Sequence, residues 1–192
     1  MNFIKKIFLN KTKDNSTFNS IENNHAFISK NLDEQFVSKF INKGGHFFYP
    51  EHLKDLKVSL LKILSLTNND KFFVLEKDYM TFLKKINIPF TTKLNETNIL
   101  ISGCEFLIAD EAAIMTTSRN TKEYRHNELP QQRVVIAMTN QIVQSKNDAL
   151  IIINNSYEKP PANIQTISIF AEPSDDLLGS HWYKTFLFLI EN

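Results

Sequence analysis

The chain has 192 residues, 42% of them hydrophobic and 22% charged, the proportions of a globular protein with enough chain for one full-sized core. Lys and Arg number 22 against 21 Asp and Glu, a formal net charge of +1, which removes the electrostatic case for nucleic acid. A single cysteine, Cys104, excludes an internal disulfide framework and any all-cysteine zinc or iron–sulfur site within one chain.

Met1 to Leu9 reads MNFIKKIFL. The apolar run after Lys5 and Lys6 falls far short of the ~7–15 residues of a secretory signal, and no run nears the ~20 of a membrane span. The expectation is a short amphipathic helix on a cytoplasmic protein. Lys11 to Asn24 is polar and reads as a loop or arm, so residues 1–30 stand apart from a domain over 31–192. Leu32, Phe36, Val37, Phe40 and Ile41 share one face of a helix, capped by Asn31 or Asp33 and closed by Gly44-Gly45. A strand over His46–Tyr49 stops at Pro50. A helix follows over Glu51–Ser65, with Leu53, Leu56, Leu60, Leu61 and Leu64 inward. Lys71–Leu75 is a continuously apolar strand of the kind buried on both faces. Glu76–Ile86 reads as a helix and Ile88–Thr91 as a short strand.

Phe106–Ala109 and Ala112–Met115 are two apolar runs flanking Asp110-Glu111, the pattern of a β-hairpin around 106–117 with an acidic turn. Two carboxylates there are costly if buried without partners, so they face water or something that needs them. Arg133–Met138 is a strong strand, Lys146–Ile153 a helix, Pro160-Pro161 a break, and Gln165–Phe170 and Thr185–Ile190 the last strands. Strands alternating with helices predict an α/β fold, a mostly parallel sheet flanked by helices.

Thr116–Gln132 is a long polar stretch holding Arg119, Lys122, Glu123, Tyr124, Arg125, His126 and Glu128. Loops of this length are either functional or solvated and mobile. Ligands in α/β sheets sit beyond the carboxyl ends of strands, where Arg119, Arg125 and His126 would overhang a crevice, arginine being suited to bidentate contact with carboxylate or phosphate. Asp110 and Glu111 are the candidates for a general base; the alternative is a turn acid paired with a nearby cation. The five histidines lie too far apart for a zinc motif, Cys104 has Glu105 rather than a cation beside it, and neither a P-loop nor G-x-G-x-x-G is present. No metal and no cofactor are expected.

The motifs around the hairpin resemble those of LUD-domain proteins of the lactate-utilisation protein C type. Ser102-Gly103 stands for the family's Thr-Gly, Ile108-Ala109-Asp110 for its Ile-Ala-Asp/Glu, and Glu111-Ala112-Ala113 replaces its Thr-Gly-Thr. Gln35-Phe36-Val37 through Gly44-Gly45 resembles the opening helix and turn, and Leu129-Pro130, Arg133–Met138 and Gln141-Ile142-Val143 resemble the later Leu-Pro, strand and Gln-Ile-Val. Ser168 to Asp176 departs from the family's Ser-Gly…Thr-Ala-Asp-Ile-Glu. The resemblance implies a Rossmann-like fold of the phosphoribose-isomerase, CoA-transferase and formyltetrahydrofolate-ligase type. It also implies a role linked to L-lactate oxidation, as a subunit or small organic-anion-binding protein beside iron–sulfur protein partners. On that reading Asp110 and Glu111 are catalytic, and Ser102, Gly103, Arg119, Arg125 and His126 bind the ligand; neither nucleic acid nor membrane is a partner, and self-association stays open. An independent enzyme of the superfold with Asp110 or Glu111 as base, or a degenerate member used for assembly or regulation, are the alternatives.

Overall fold

The computed structural model describes residues 22–169 and 184–191. The expected helix at Met1–Leu9, most of the polar arm, Ser174-Asp175-Asp176 and the His181-Trp182-Tyr183 cluster lie outside them. Helix α1 runs Glu22–Asn42, beginning ten residues before Leu32; no proline or glycine interrupts residues 22–31, so Asn31 and Asp33 lie inside the helix rather than capping it. It ends in a Schellman turn, Gly45 N–H donating to Phe40 O and Gly44 N–H to Ile41 O, with Gly44 at φ 88° where a side chain would strain.

The elements that follow are β1 (His46–Phe48), α2 (Leu53–Leu66), β2 (Phe72–Val74), α3 (Lys77–Lys85), β3 (Phe90–Thr91), β4 (Ile99–Ser102), β5 (Phe106–Ile108) and β6 (Ala113–Thr116), then α4 (Ser118–Thr121), β7 (Gln132–Met138), β8 (Ile142–Val143), α5 (Lys146–Ser156), β9 (Gln165–Ile167) and β10 (Lys184–Ile190). Six of the strands form a parallel sheet in the order β1-β10-β7-β4-β2-β3. The remaining four form a mixed sheet, β8-β5-β6-β9, built on the hairpin in which Phe106 pairs with Met115 and Ile108 with Ala113. The α/β reading of the sequence is borne out. Two strands are not among those the sequence predicts: β4, a central strand buried along its length, and the two-residue β8.

Alternation within the parallel strands divides the core. Val134 and Ile136 of β7 face Leu56, Leu60, Tyr79 and Phe82 of α2 and α3, while Val135 and Ala137 face Phe36 and Phe40 of α1 together with Leu107 and Ile114 of the hairpin. Helix α5 covers the far side of the hairpin through Ala149 and Ile153. Three positions differ from the helical-face expectation: Ile41, Leu53 and Leu61 are exposed, and Ile63 is buried instead. Burying aliphatic and aromatic side chains of this size contributes about 1.5–3 kcal/mol each. Among the described residues no helix is long and apolar enough to cross a membrane.

The chain leaves β2 for β3 on one side and returns as β4 on the other. That reversal opens a crevice beyond the carboxyl ends of β2 and β4, where α/β sheets place ligands.

Candidate functional site

A cavity of about 500 Å³ occupies that crevice, lined among others by Glu76, Gly103, Cys104, Glu105, Arg119, Asn120, Lys122 and Tyr157. The size is in the range of small-molecule sites.

Glu76 stands two residues after β2 and sits at the N-cap of α3, yet its side chain makes no capping bond. Its carboxylate instead accepts the Gly103 N–H at 2.8 Å and the Asn120 Nδ2–H at 3.4 Å. Burial pushes its pKa up to about 7, against the two hydrogen bonds and the charge of Lys122, which pull it down. A carboxyl balanced near neutrality in a cleft can take or give a proton at physiological pH.

Across the cavity, Glu105 stands at the mouth of the hairpin, one residue before β5. Its Oε1 accepts the Tyr157 hydroxyl at 2.5 Å and its Oε2 the Thr117 hydroxyl at 3.2 Å. Arg119 lies over the Tyr157 ring, 4.9 Å from its centroid. Its Nη1 donates to the Tyr157 hydroxyl and stands 3.8 Å from Glu105 Oε1. Asn120 joins the two sides: its Oδ1 accepts the Thr117 N–H at 3.2 Å while its amide reaches Glu76. The Gln141 side-chain amide closes the inner wall, donating to the Cys104 carbonyl at 2.7 Å. Burial pushes the Cys104 thiol up, so it stays protonated and unreactive.

The stretch Thr116–Gln132 is therefore not a structureless loop. Thr117 caps the four-residue α4 through its hydroxyl, and Thr117, Asn120 and Thr121 are buried.

Of the ligand-binding candidates, Gly103 and Arg119 line the cavity, and Ser102 is the buried last residue of β4 beside it. His126 is half-buried under the stretch, its Nε2 2.9 Å from Thr116 Oγ1 and its Nδ1 2.7 Å from Arg133 Nη1. Because Arg133 can only donate, Nδ1 accepts and Nε2 carries the proton toward Thr116. Burial and the Arg133 charge lower the His126 pKa to about 4, so the ring stays neutral. Arg125 is exposed and outside the cavity wall. Asp110 and Glu111 occupy the closed end of the hairpin, whose open end carries Glu105 and Thr117. There Lys39 Nζ donates to Asp110 O at 3.1 Å, Lys43 Nζ to Glu111 O at 2.6 Å, and the Asp110 carboxylate accepts from Gln144. Neither the acidic turn nor Arg125 is among the residues that line the cavity; the hairpin's length separates the turn from it.

Glu76, Glu105, Asn120 and Tyr157 are the residues sequence reasoning did not select. Glu76 carries a signal: glutamate is a poor choice for an N-cap, where Ser, Thr, Asp or Asn is favoured. Tyr157, 52 residues from the Glu105 it binds, carries none.

A family model described as the LUD domain matches residues 21–177. Among solved structures, a DUF162 family protein from Deinococcus radiodurans has the same fold, with a TM-score of 0.60 at 13% identity, over 85% of this chain and 98% of that one. No curated protein matches the chain.

Proposed function

Because this chain belongs to the LUD-domain family, we propose that it serves lactate utilisation in the cytoplasm as a subunit whose cavity takes a small organic anion, beside iron–sulfur partner proteins. One observation carries the reading: a carboxyl balanced near neutral pH, Glu76, on the wall of a polar cavity whose cationic rim is Arg119 and Lys122. Oxidation of a 2-hydroxy acid to a 2-oxo acid releases two electrons and two protons. In its ionised form Glu76 would take the hydroxyl proton while the cationic rim holds the carboxylate, and the C2 hydrogen would leave with its electron pair, as a hydride equivalent, to a two-electron acceptor that a partner protein supplies ahead of its clusters. The single cysteine of this chain cannot hold a cysteine-ligated cluster. The cavity also exceeds what a three-carbon acid fills, leaving room for a partner's group.

In an independent enzyme of the same superfold the base would again be Glu76, since Asp110 and Glu111 lie at the other end of the hairpin. Calorimetric titration of the purified chain with L-lactate at pH 7, together with affinity purification from cells grown on lactate, tests the proposal. Saturable binding and recovery of cluster-bearing proteins are expected. A chain that binds no lactate and brings down no such protein overturns it.

A further inference from the structure

Lys122 stands at φ 55° and ψ −125°, and the Tyr124 N–H donates to Thr121 O at 3.1 Å across it. That is the first central position of a type II′ turn, which glycine dominates because a Cβ is strained there. Among the described residues, the other non-glycine positions of positive φ are Asn68, Asn87, Asn163 and Ala112. Asparagine tolerates such backbone well, and Ala112 carries only a methyl. Lys122 is the long side chain in the set, and it lines the cavity.

We infer that Lys122 is the anion-recognition residue of the cavity, kept in a glycine-type backbone position because its ammonium is required there. Strained backbone persists where the surroundings and the function over-determine it. The local alternatives are weak. The Lys122 Nζ donates to Arg119 O at 3.3 Å, one bond from an exposed side chain, and its loss would be offset by the relief a glycine brings. Arg119, the neighbouring cation, is occupied by the Tyr157 hydroxyl and Glu105, which leaves Lys122 the freer charge for a carboxylate or phosphate oxygen. Its ammonium also draws the ionised form of Glu76 into use, joining anion binding to proton transfer in one space.

The inference rests on the organic-anion reading above, and its test separates the two. The full chain and three variants, Lys122→Gly, Lys122→Arg and Lys77→Ala, are titrated calorimetrically with L-lactate and separately with inorganic phosphate, and each is melted. Lys122→Gly should melt at a higher temperature than the wild type yet bind anion about tenfold more weakly or worse. Lys122→Arg should retain binding without the gain in melting temperature. Lys77→Ala, which loses the same charge at an unstrained position of the wall, should bind within about twofold of the wild type. Undiminished binding by Lys122→Gly, a fall in its melting temperature, or an equal loss in Lys77→Ala overturns the role given to Lys122 while the organic-anion reading stands. A wild-type chain that binds neither probe overturns both.

Discussion

The Gly103 N–H donates to the Glu76 carboxylate at 2.8 Å, tying together the carboxyl ends of two neighbouring parallel strands, β4 and β2. The approach depends on the missing side chain. A Cβ on residue 103 would stand 2.9 Å from Tyr79 Oη and 3.3 Å from its Cε2, and Tyr79 cannot swing away because it is buried and its hydroxyl donates to Ile136 O at 3.1 Å. Gly103→Ala should therefore cost about 1–3 kcal/mol, as overpacking does, and weaken the hold on Glu76. Urea unfolding checks this; an unchanged midpoint would mean the strand ends part more easily than the packing implies.

Glu76 and His126 oppose each other in their effect on stability. An acid whose pKa rises on folding, here from 4.5 to about 7, holds its proton more tightly when folded, so Glu76 lowers stability as pH climbs through that window. A histidine whose pKa falls on folding, from 6.5 to about 4, lowers stability as pH drops through its own window. Protonating His126 Nδ1 would set a second donor against the Arg133 guanidinium. Each group acting alone gives a slope of about 1.4 kcal/mol per pH unit, discounted for His126, whose ring is partly open to solvent. Between pH 4.5 and 6.5 the two nearly cancel. Denaturant titrations in that range should show Glu76→Gln gaining stability with rising pH and His126→Asn losing it, while the wild type stays between them. Parallel pH profiles for all three chains would sink the assignment.

Ala112 is fully buried at φ 45° in the hairpin turn, where the sequence pattern of the family has glycine. What this position asks of its residue is turn conformation, at the end of the hairpin away from the cavity. Left-handed backbone costs alanine roughly 1–2 kcal/mol. Ala112→Gly recovers that but loses a buried methyl, about 0.8 kcal/mol, and gains unfolded-state entropy worth about 0.4–1 kcal/mol. The sum is near zero, unlike an ordinary buried Ala→Gly change. Ala112→Val, β-branched at positive φ in a filled core, should cost about 2 kcal/mol or more. Thermal melts of the pair decide the matter, and equal losses in both would contradict it.

The fold was legible because its signals are local. The unbroken apolar runs of β2 and β7 and the paired runs of the hairpin each declare a strand, and the helices between them declare a layered sheet. β4 escaped because Ile99–Ser102 runs directly toward the Ser-Gly motif and was absorbed into it. The site was less legible, since its groups are assembled across the chain: Glu76 after β2, Gly103 after β4, Asn120 in α4, Tyr157 at the end of α5. The conspicuous acids, Asp110 and Glu111, stood out by adjacency, and the fold puts them where Lys39 and Lys43 of α1 fasten the turn by its carbonyls. Gly103 and Arg119 line the cavity, a turn glycine and a cation beyond a strand end being what a crevice requires.

The Tyr157 hydroxyl stands between Glu105 and Arg119, donating to the first and accepting from the second, and so keeps the two charges 3.8 Å apart. Tyr157→Phe leaves the ring under the guanidinium, with its cation–π contact intact, and removes only that separation. Arg119 then closes further on Glu105, shortening the ion pair the two already make, which draws its positive charge away from the cavity. Losing the hydroxyl should cost about 1 kcal/mol of stability and weaken L-lactate binding by roughly fivefold. Tyr157→Ala, which takes away the ring as well, should weaken binding further by letting the guanidinium swing into solvent. Calorimetric titration of both variants beside their melting temperatures separates the two effects. Tighter binding in Tyr157→Phe would show that Arg119 acts from the position the hydroxyl denies it, and would reverse the role given to Tyr157.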